Sequence, residues 1–256
     1  MSGKPARKHP QIDRGTVFLL RRPVLTNCEM NLRDRTPAAW YNCTMNLQFQ
    51  VLDRTQHDVL PKLCFLKEQG FYLAGGTALA LHIGHRQSVD LDFYRGESFD
   101  PQLLLPQFEA VAREVVLVAT AEGTLILSLS GVEVSVFHYP YRLLSSVVQS
   151  EYCNLASILD IAAMKLIALA QRGIRRDFID FYFILQHVTL SEVFESAKSK
   201  YPSFDPYVGL QGLTFFDDAE RDSLAARGIV LFRDVSWEDV KRSIIAEVRK
   251  YREAIR

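Results

Sequence analysis

The chain has no apolar run near the roughly 18 residues that a membrane span needs. Its one N-terminal apolar tetrad, Val17 to Leu20, runs straight into Arg21 and Arg22, so neither a spanning helix nor a secretory leader is expected. Cysteine is scarce too. Cys28, Cys43, Cys64 and Cys153 lie far apart, with no Cys-x-x-Cys pair and no histidine set at zinc spacing. That argues against a structural zinc site or a disulfide framework and makes a reducing cytoplasm the expected setting. Net charge is also missing: 30 Lys/Arg face 30 Asp/Glu. No global attraction to nucleic acid or anionic membrane follows, and any polyanion must be held by a local patch. Repeats and low-complexity tracts are not seen. What is present is apolar content, 48% of 256 residues, enough for one large domain or two small ones.

The even charge balance hides an asymmetry, since residues 1–45 carry eight Lys/Arg against three Asp/Glu and leave the rest mildly acidic. Residues 1–44 show neither helical nor alternating periodicity and read as a poorly ordered basic tail. Patterned sequence begins near Met45. Either the tail is a genuine flexible arm, or Met45 is the native start and the tail is translated upstream sequence.

Beyond it, a helix is expected over 57–69, with Gly70 at the left-handed stop. A short strand over 71–74, a Gly75-Gly76-Thr77 turn and a helix over 78–83 ending at Gly84 come next. Residues 88–94 alternate, with Val89, Leu91 and Phe93 on one face and Asp90 and Asp92 on the other, the period of a half-buried strand. A helix over 101–114 and strands over 115–120, 124–129 and 132–137 complete an α/β unit with a mixed sheet, the last two strands joined by a Ser130-Gly131 turn. After Pro140 the pattern turns helical, over 155–171, 176–187, 191–200 and 237–254, the last capped by Ser236. The expected organisation is a tail over 1–44, an α/β domain over 45–145 and a helical domain over 146–256.

Gly75 and Gly76, between strand and helix, leave backbone amides able to approach an anion at the positive helix end, although such a turn also serves simple geometry. Asp90 and Asp92 project from one strand face with Cα atoms roughly 6–7 Å apart. Their mutual repulsion favours a shared cation over a bare solvated face. Arg86 is placed to meet phosphate, and His85 to donate or to stay at the surface. Together these are the parts that phosphoryl or nucleotidyl transfer requires.

These residues, Gly75-Gly76-Thr77 with Leu79, His85-Arg86, Ser88 and Asp90-Leu91-Asp92-Phe93, resemble the signature of the nucleotidyltransferase fold shared with DNA polymerase β, in its AbiEii/AbiGii toxin branch, to which the MenT toxins also belong. The resemblance covers roughly Leu47 to the C-terminus. It implies a nucleotidyltransferase core of mixed sheet and flanking helices followed by a helical C-terminal domain. The family's later motifs, a lysine on a helix and an aspartate segment soon after, are similar to Lys165 and to Arg176-Asp177-Phe178-Ile179-Asp180. Lys165 lies on a helix apolar nearly all round, where an ammonium must snorkel or find an anion. Asp177 and Asp180 share a helix face, and Arg176 reaches Asp180 at i, i+4, so a surface ion pair also accounts for that segment. A third metal carboxylate is usual in the fold, and Glu133 is the acidic residue on the strand over 132–137.

The expected activity is therefore Mg²⁺-dependent transfer of NMP from an NTP, Mn²⁺ being an alternative metal. Asp90, Asp92 and Glu133 would hold metal; Gly75, Gly76, Thr77, Arg86, Lys165 and Asp180 would bind nucleotide; and Asp90, Asp92, Lys165 and Asp177 would carry catalysis. The resemblance implies a bacterial toxin or phage-defence protein with a cognate antitoxin and an RNA acceptor, notably the tRNA 3′ end, with Arg172, Arg175 and Arg176 as a basic patch for it. A protein or small-molecule acceptor, a non-catalytic nucleotide-binding module and a metal-dependent glycosyltransferase are the alternatives. The last is disfavoured because no Rossmann-type run of βα units precedes the Asp-x-Asp.

Overall fold

The computed structural model describes residues 47–224 and 229–255; the basic tail and the Met45 start lie outside them. Helix α1 (Arg54–Val59) opens with a reciprocal capping box in which the Asp53 carboxylate accepts from the Gln56 amide and the Gln56 side chain accepts from the Asp53 amide. Pro61 lacks an amide proton, so the single helix expected over 57–69 divides into α1, a 3₁₀ turn (Leu60–Leu63) and α2 (Cys64–Glu68). Gly70, at φ +81°, makes the stop. Strand β1 is only Tyr72–Leu73, and α3 (Gly75–Ile83) begins at the glycines themselves and ends at left-handed Gly84.

Strand β2 (Leu91–Arg95) follows, then α4 (Pro101–Val111) and the meander β3 (Val115–Ala121), β4 (Thr124–Leu129) and β5 (Val132–His138). Two further short strands, β6 (Val148–Gln149) and β7 (Asn154–Leu155), join the same sheet. The order is β3-β4-β5-β2-β1-β7-β6, with β2 parallel to β5 and β1 parallel to β7. The sheet therefore continues to Leu155, past the change of character at 140–150.

The remainder is α5 (Ile158–Arg172), α6 (Arg175–Ile184), α7 (Leu190–Lys200), α8 (Pro206–Thr214), α9 (Asp217–Glu220) and α10 (Trp237–Ala254). Ser236 caps α10 by accepting from the Asp239 amide, as expected. Helix α5 is central and packs on α3, α6, α7 and α8. Gly212 lets α8 come close, since a Cβ there would stand 2.6 Å from the Ala170 Cα. One apolar core runs from sheet to helices through Leu73, Leu79, Phe93, Ile161, Phe178 and Ile244. Cys153 is a buried free thiol. No described helix is long and apolar enough to cross a membrane.

Candidate active site

A cleft of about 670 Å³ opens where the sheet meets α5, α6 and α8, within the size range of small-ligand sites. One wall begins at α3. No side chain caps the α3 N-terminus, so its first amides point outward unclaimed by a cap. Gly75 sits at φ +66°, and a Cβ on it would stand 2.9 Å from Asp92 Oδ2, while a Cβ on Gly76 would overlap the Arg86 guanidinium. Both glycines are thus required by close approach. Thr77 differs from expectation. It is buried, and its hydroxyl bonds the Ser88 hydroxyl at 2.8 Å and the Asp90 carbonyl, so its side chain pins the strand entry and does not face the cleft.

Asp90 and Asp92 flank Leu91 and line the cleft together. Burial, reinforced by the neighbouring Asp90 charge, pushes the Asp92 carboxyl up to about 6. Asp92 pairs in register with Ser135, and Leu91 with Val134. One step back along the register, Glu133 falls beside Asp90 on the same sheet face, and its charge is felt at Asp92. It does not line the cleft, and among the described residues no three His, Cys, Asp or Glu side chains assemble a metal-binding group.

Beneath the lip lies a buried ion-pair network. Arg86, 2% exposed, donates through Nε and Nη2 to the two Asp180 oxygens at 2.7 and 2.9 Å, a bidentate fork. His85 Nε2 lies 2.8 Å from Asp180 Oδ1. Burial lowers the imidazole pKa despite Asp180, so the ring is neutral and donates from Nε2. Lys165 Nζ reaches Asp177 Oδ1 and Asp180 Oδ2, both at 2.6 Å. Burial alone would raise the Asp180 pKa, but Arg86 and Lys165 outweigh it and hold the carboxylate well below its usual range. Asp177 Oδ2 is buried without a hydrogen bond, and Asp177 lines the cleft.

Sequence comparison adds to this geometry. The family profile described as "Nucleotidyl transferase AbiEii toxin, Type IV TA system" matches residues 63–146. The uncharacterized protein aq_aa25 of Aquifex aeolicus (strain VF5) is 33% identical over 211 residues, covering 79% of this chain and 98% of that protein. This chain belongs to the AbiEii nucleotidyltransferase toxin family. In fold, the AbiEii chain is similar to MenT4, a nucleotidyltransferase toxin of Mycobacterium tuberculosis H37Rv, with TM-score 0.55, 16% identity and coverage of 75% of this chain and 81% of that one. It is also similar to an H. pylori protein provisionally called a nucleotidyltransferase, with TM-score 0.50, 18% identity and coverage of 82% and 99%. The protein is a nucleotidyltransferase toxin of a type IV toxin–antitoxin system.

The AbiEii cleft brings together Gly75, Gly76, Arg86, Asp90, Asp92, Lys165 and Asp177. Asp180 lies beneath them, fully buried. Arg176 does not pair with Asp180; its Nη1 lies 3.9 Å from Asp90 Oδ2, because Asp180 is turned inward to Arg86. The basic patch divides as well. Arg172 and Arg176 face the cleft, whereas Arg175 is tied to the Ala219 and Glu220 carbonyls and lies over the Trp237 ring.

The donor set suits a hard divalent cation. Two adjacent carboxylates, one of them resisting ionisation, gain by sharing a cation, and Mg²⁺ commonly takes one or two carboxylates plus substrate phosphates and water. The alternation of residues 88–94 puts Tyr94 on the face of Asp90 and Asp92 without assigning it a role, and sequence reasoning missed Tyr139, Tyr141 and Tyr201; all four tyrosines line the same cleft. The spacing of Tyr94 two residues beyond Asp92 was the available signal.

Proposed function

We propose that this cleft transfers a nucleoside monophosphate from an NTP to a hydroxyl acceptor, the acceptor being RNA and in particular the 3′ end of a tRNA. The observation carrying this reading is the Asp90–Asp92 pair set against the uncapped glycine end of α3, with Lys165 and Asp177 lining the same cleft. Asp90 and Asp92 hold Mg²⁺, with Mn²⁺ as a substitute, and Glu133 adds negative charge from the neighbouring strand. When bound, the metal neutralises charge developing on the phosphates.

The first-turn amides at Gly76 and Thr77 receive phosphate oxygens. Lys165 spends two of its three donors on Asp177 and Asp180, leaving the third for a phosphate oxygen. Arg172 and Arg176, each only 3.9 Å from its nearest carboxylate oxygen, swing to the triphosphate or the acceptor backbone. Asp177 Oδ2 accepts the proton of the acceptor hydroxyl. The hydroxyl oxygen forms a bond to the α-phosphorus, and the bond to the pyrophosphate oxygen breaks. Arg86, Asp180, His85 and the Thr77 hydroxyl hold this geometry without touching substrate. Action in the cytoplasm, where NTP and RNA reside, and restraint by a cognate antitoxin complete the reading.

A protein side chain or small molecule is the second reading for the acceptor, favoured by the withdrawal of Arg175, which leaves Arg172 and Arg176 of that three-arginine patch at the cleft. One experiment tests both. Purified protein is incubated with Mg²⁺, each α-³²P-labelled NTP and total cellular RNA, beside an Asp92→Ala control. Label in a tRNA-sized band that vanishes with Asp92→Ala is expected; label on protein, or on a metabolite when a small-molecule cell extract is added in a parallel reaction, supports the second reading; and no transfer in either reaction refutes both.

A further inference from the structure

A wall of tyrosines runs from the carboxylate pair to the end of α7, and nothing in the transfer chemistry uses it. Tyr94 lies two residues from Asp92 on β2, hence on the same sheet face. Its ring meets Tyr139 at 5.4 Å and 71°, Tyr139 meets Tyr141 at 4.9 Å and 63°, and Tyr141 meets Tyr201 at 4.8 Å and 68°. The Tyr139 and Tyr201 hydroxyls share a 2.5 Å hydrogen bond. Burial pushes both phenols up, Tyr139 to about 12, so the pair stays neutral. The Lys200 ammonium stands 5.7 Å from the Tyr139 ring and is itself anchored to Asp160 and the Arg142 carbonyl.

Two rings, joined to each other through their hydroxyls, therefore brace Tyr141, which keeps 37% of its surface exposed while Tyr201 keeps 6%. A packing layer alone has no use for a rigidly braced ring left open at the mouth of a cleft. The same cleft is lined both by the α3 glycines, carboxylates and arginines and by aromatic rings with Phe204 and Met164. A ligand with a phosphate at one end and a flat apolar heterocycle at the other satisfies both. Rigid aromatic side chains are stacking platforms for bases and lose little conformational entropy on binding.

We infer that Tyr141, braced by Tyr139 and Tyr201, is the stacking platform for a nucleobase of the reaction. The inference rests on the nucleotidyl-transfer reading and names the residue that grips the base. The base belongs either to the incoming NTP or to the 3′-terminal nucleotide of the RNA acceptor.

The test is equilibrium binding to the full-length protein with two ligand pairs: Mg-NTP against Mg-ribose 5-triphosphate, which lacks the base, and an RNA oligonucleotide with an intact against an abasic 3′ end. In the wild type, one base-bearing ligand is expected to bind about tenfold or more tightly than its base-less counterpart. Tyr141→Ala is expected to collapse that ratio toward one, and Tyr141→Phe to keep it. The pair that loses discrimination identifies the source of the base. Tyr141→Leu, which preserves bulk, serves as the second variant if alanine unfolds the protein, and the same collapse is expected. Base discrimination undiminished by these variants, or absent from the wild type in both pairs, overturns the inference alone. Failure of the wild type to bind either triphosphate overturns the nucleotidyl-transfer reading and the inference with it.

Discussion

Replacing Asp180 by asparagine tests whether the buried network holds the cleft together. Asp180 is fully buried and receives four close contacts, two from Arg86, one from His85 and one from Lys165. Asparagine keeps the shape but removes the charge. Arg86, 2% exposed, is then left a buried cation with no carboxylate, and Lys165 retains only Asp177. Breaking a buried pair from one side costs about 3–5 kcal/mol, because the remaining charge is uncompensated. Domains of this size lose roughly 2–4 °C of Tm per kcal/mol, so a fall of about 6–20 °C is expected by thermal denaturation. Converting both partners, Arg86→Met with Asp180→Leu, is expected to cost less than the sum of the single changes, as coupled sites do. The wild-type pH profile carries the same signature. The Asp180 pKa lies well below its 3.8 reference, so the stability it contributes is present above about pH 4 and is lost as pH falls further through the folded value. A Tm change under about 2 °C for Asp180→Asn would refute the reasoning, since no network that costs several kcal/mol to break behaves so.

Asp92 has the opposite sign. Its folded pKa of about 6 exceeds the 3.8 reference, so the metal-free protein should gain up to about 3 kcal/mol as pH falls from 7 to 4. Melting curves in EDTA should show this gain for the wild type and not for Asp92→Asn, and added Mg²⁺ or Mn²⁺ should raise the wild-type Tm at pH 7. Gly76→Ala forces its methyl against an Arg86 guanidinium that Asp180 clamps; a loss of about 1–3 kcal/mol is expected in urea unfolding, together with loss of transfer activity. Gly70→Ala meets no atom within 4 Å and carries only the cost of φ +81°, about 1–2 kcal/mol, with activity retained. Lys165→Met should abolish labelling of the acceptor in the α-³²P assay while leaving residual Mg-NTP binding through the α3 amides, and unchanged labelling would remove Lys165 from the mechanism.

What could be read from the sequence was whatever local periodicity encodes. The β4–β5 hairpin, the glycine stops at Gly70 and Gly84 and the Ser236 cap each announce themselves within a few residues. Helix α8 did not, because Gly209 and Gly212 interrupt its apolar period, and their reason lies in the packing against Ala170 and Phe204. Strands β6 and β7 are two residues each, too short for any alternation to register. At the cleft, chemistry and spacing pointed to Asp90 and Asp92 and the family resemblance to Lys165, and all three line it. The same reasoning assigned Arg86 to phosphate and Arg176 to Asp180. Only the fold, bringing together residues 94 positions apart, reveals that Asp180 belongs to Arg86. The tyrosine wall shares this character, being drawn from β2, the segment after β5 and the end of α7.

Arg86 also bears on when the cleft can be completed during synthesis of the chain. A nascent chain that has emerged only through the sheet carries Gly76 and both cleft carboxylates, yet its arginine has neither Asp180 nor the 230–233 segment that hydrogen-bonds across His85 and Gln87. An unpaired guanidinium cannot remain buried there, so the floor beneath the glycine lip stays unformed until the C-terminal helices follow. The cleft is thus not a property of the sheet half alone: Lys165 and Asp177, which line it, and Asp180, which holds Arg86, all come from α5 and α6.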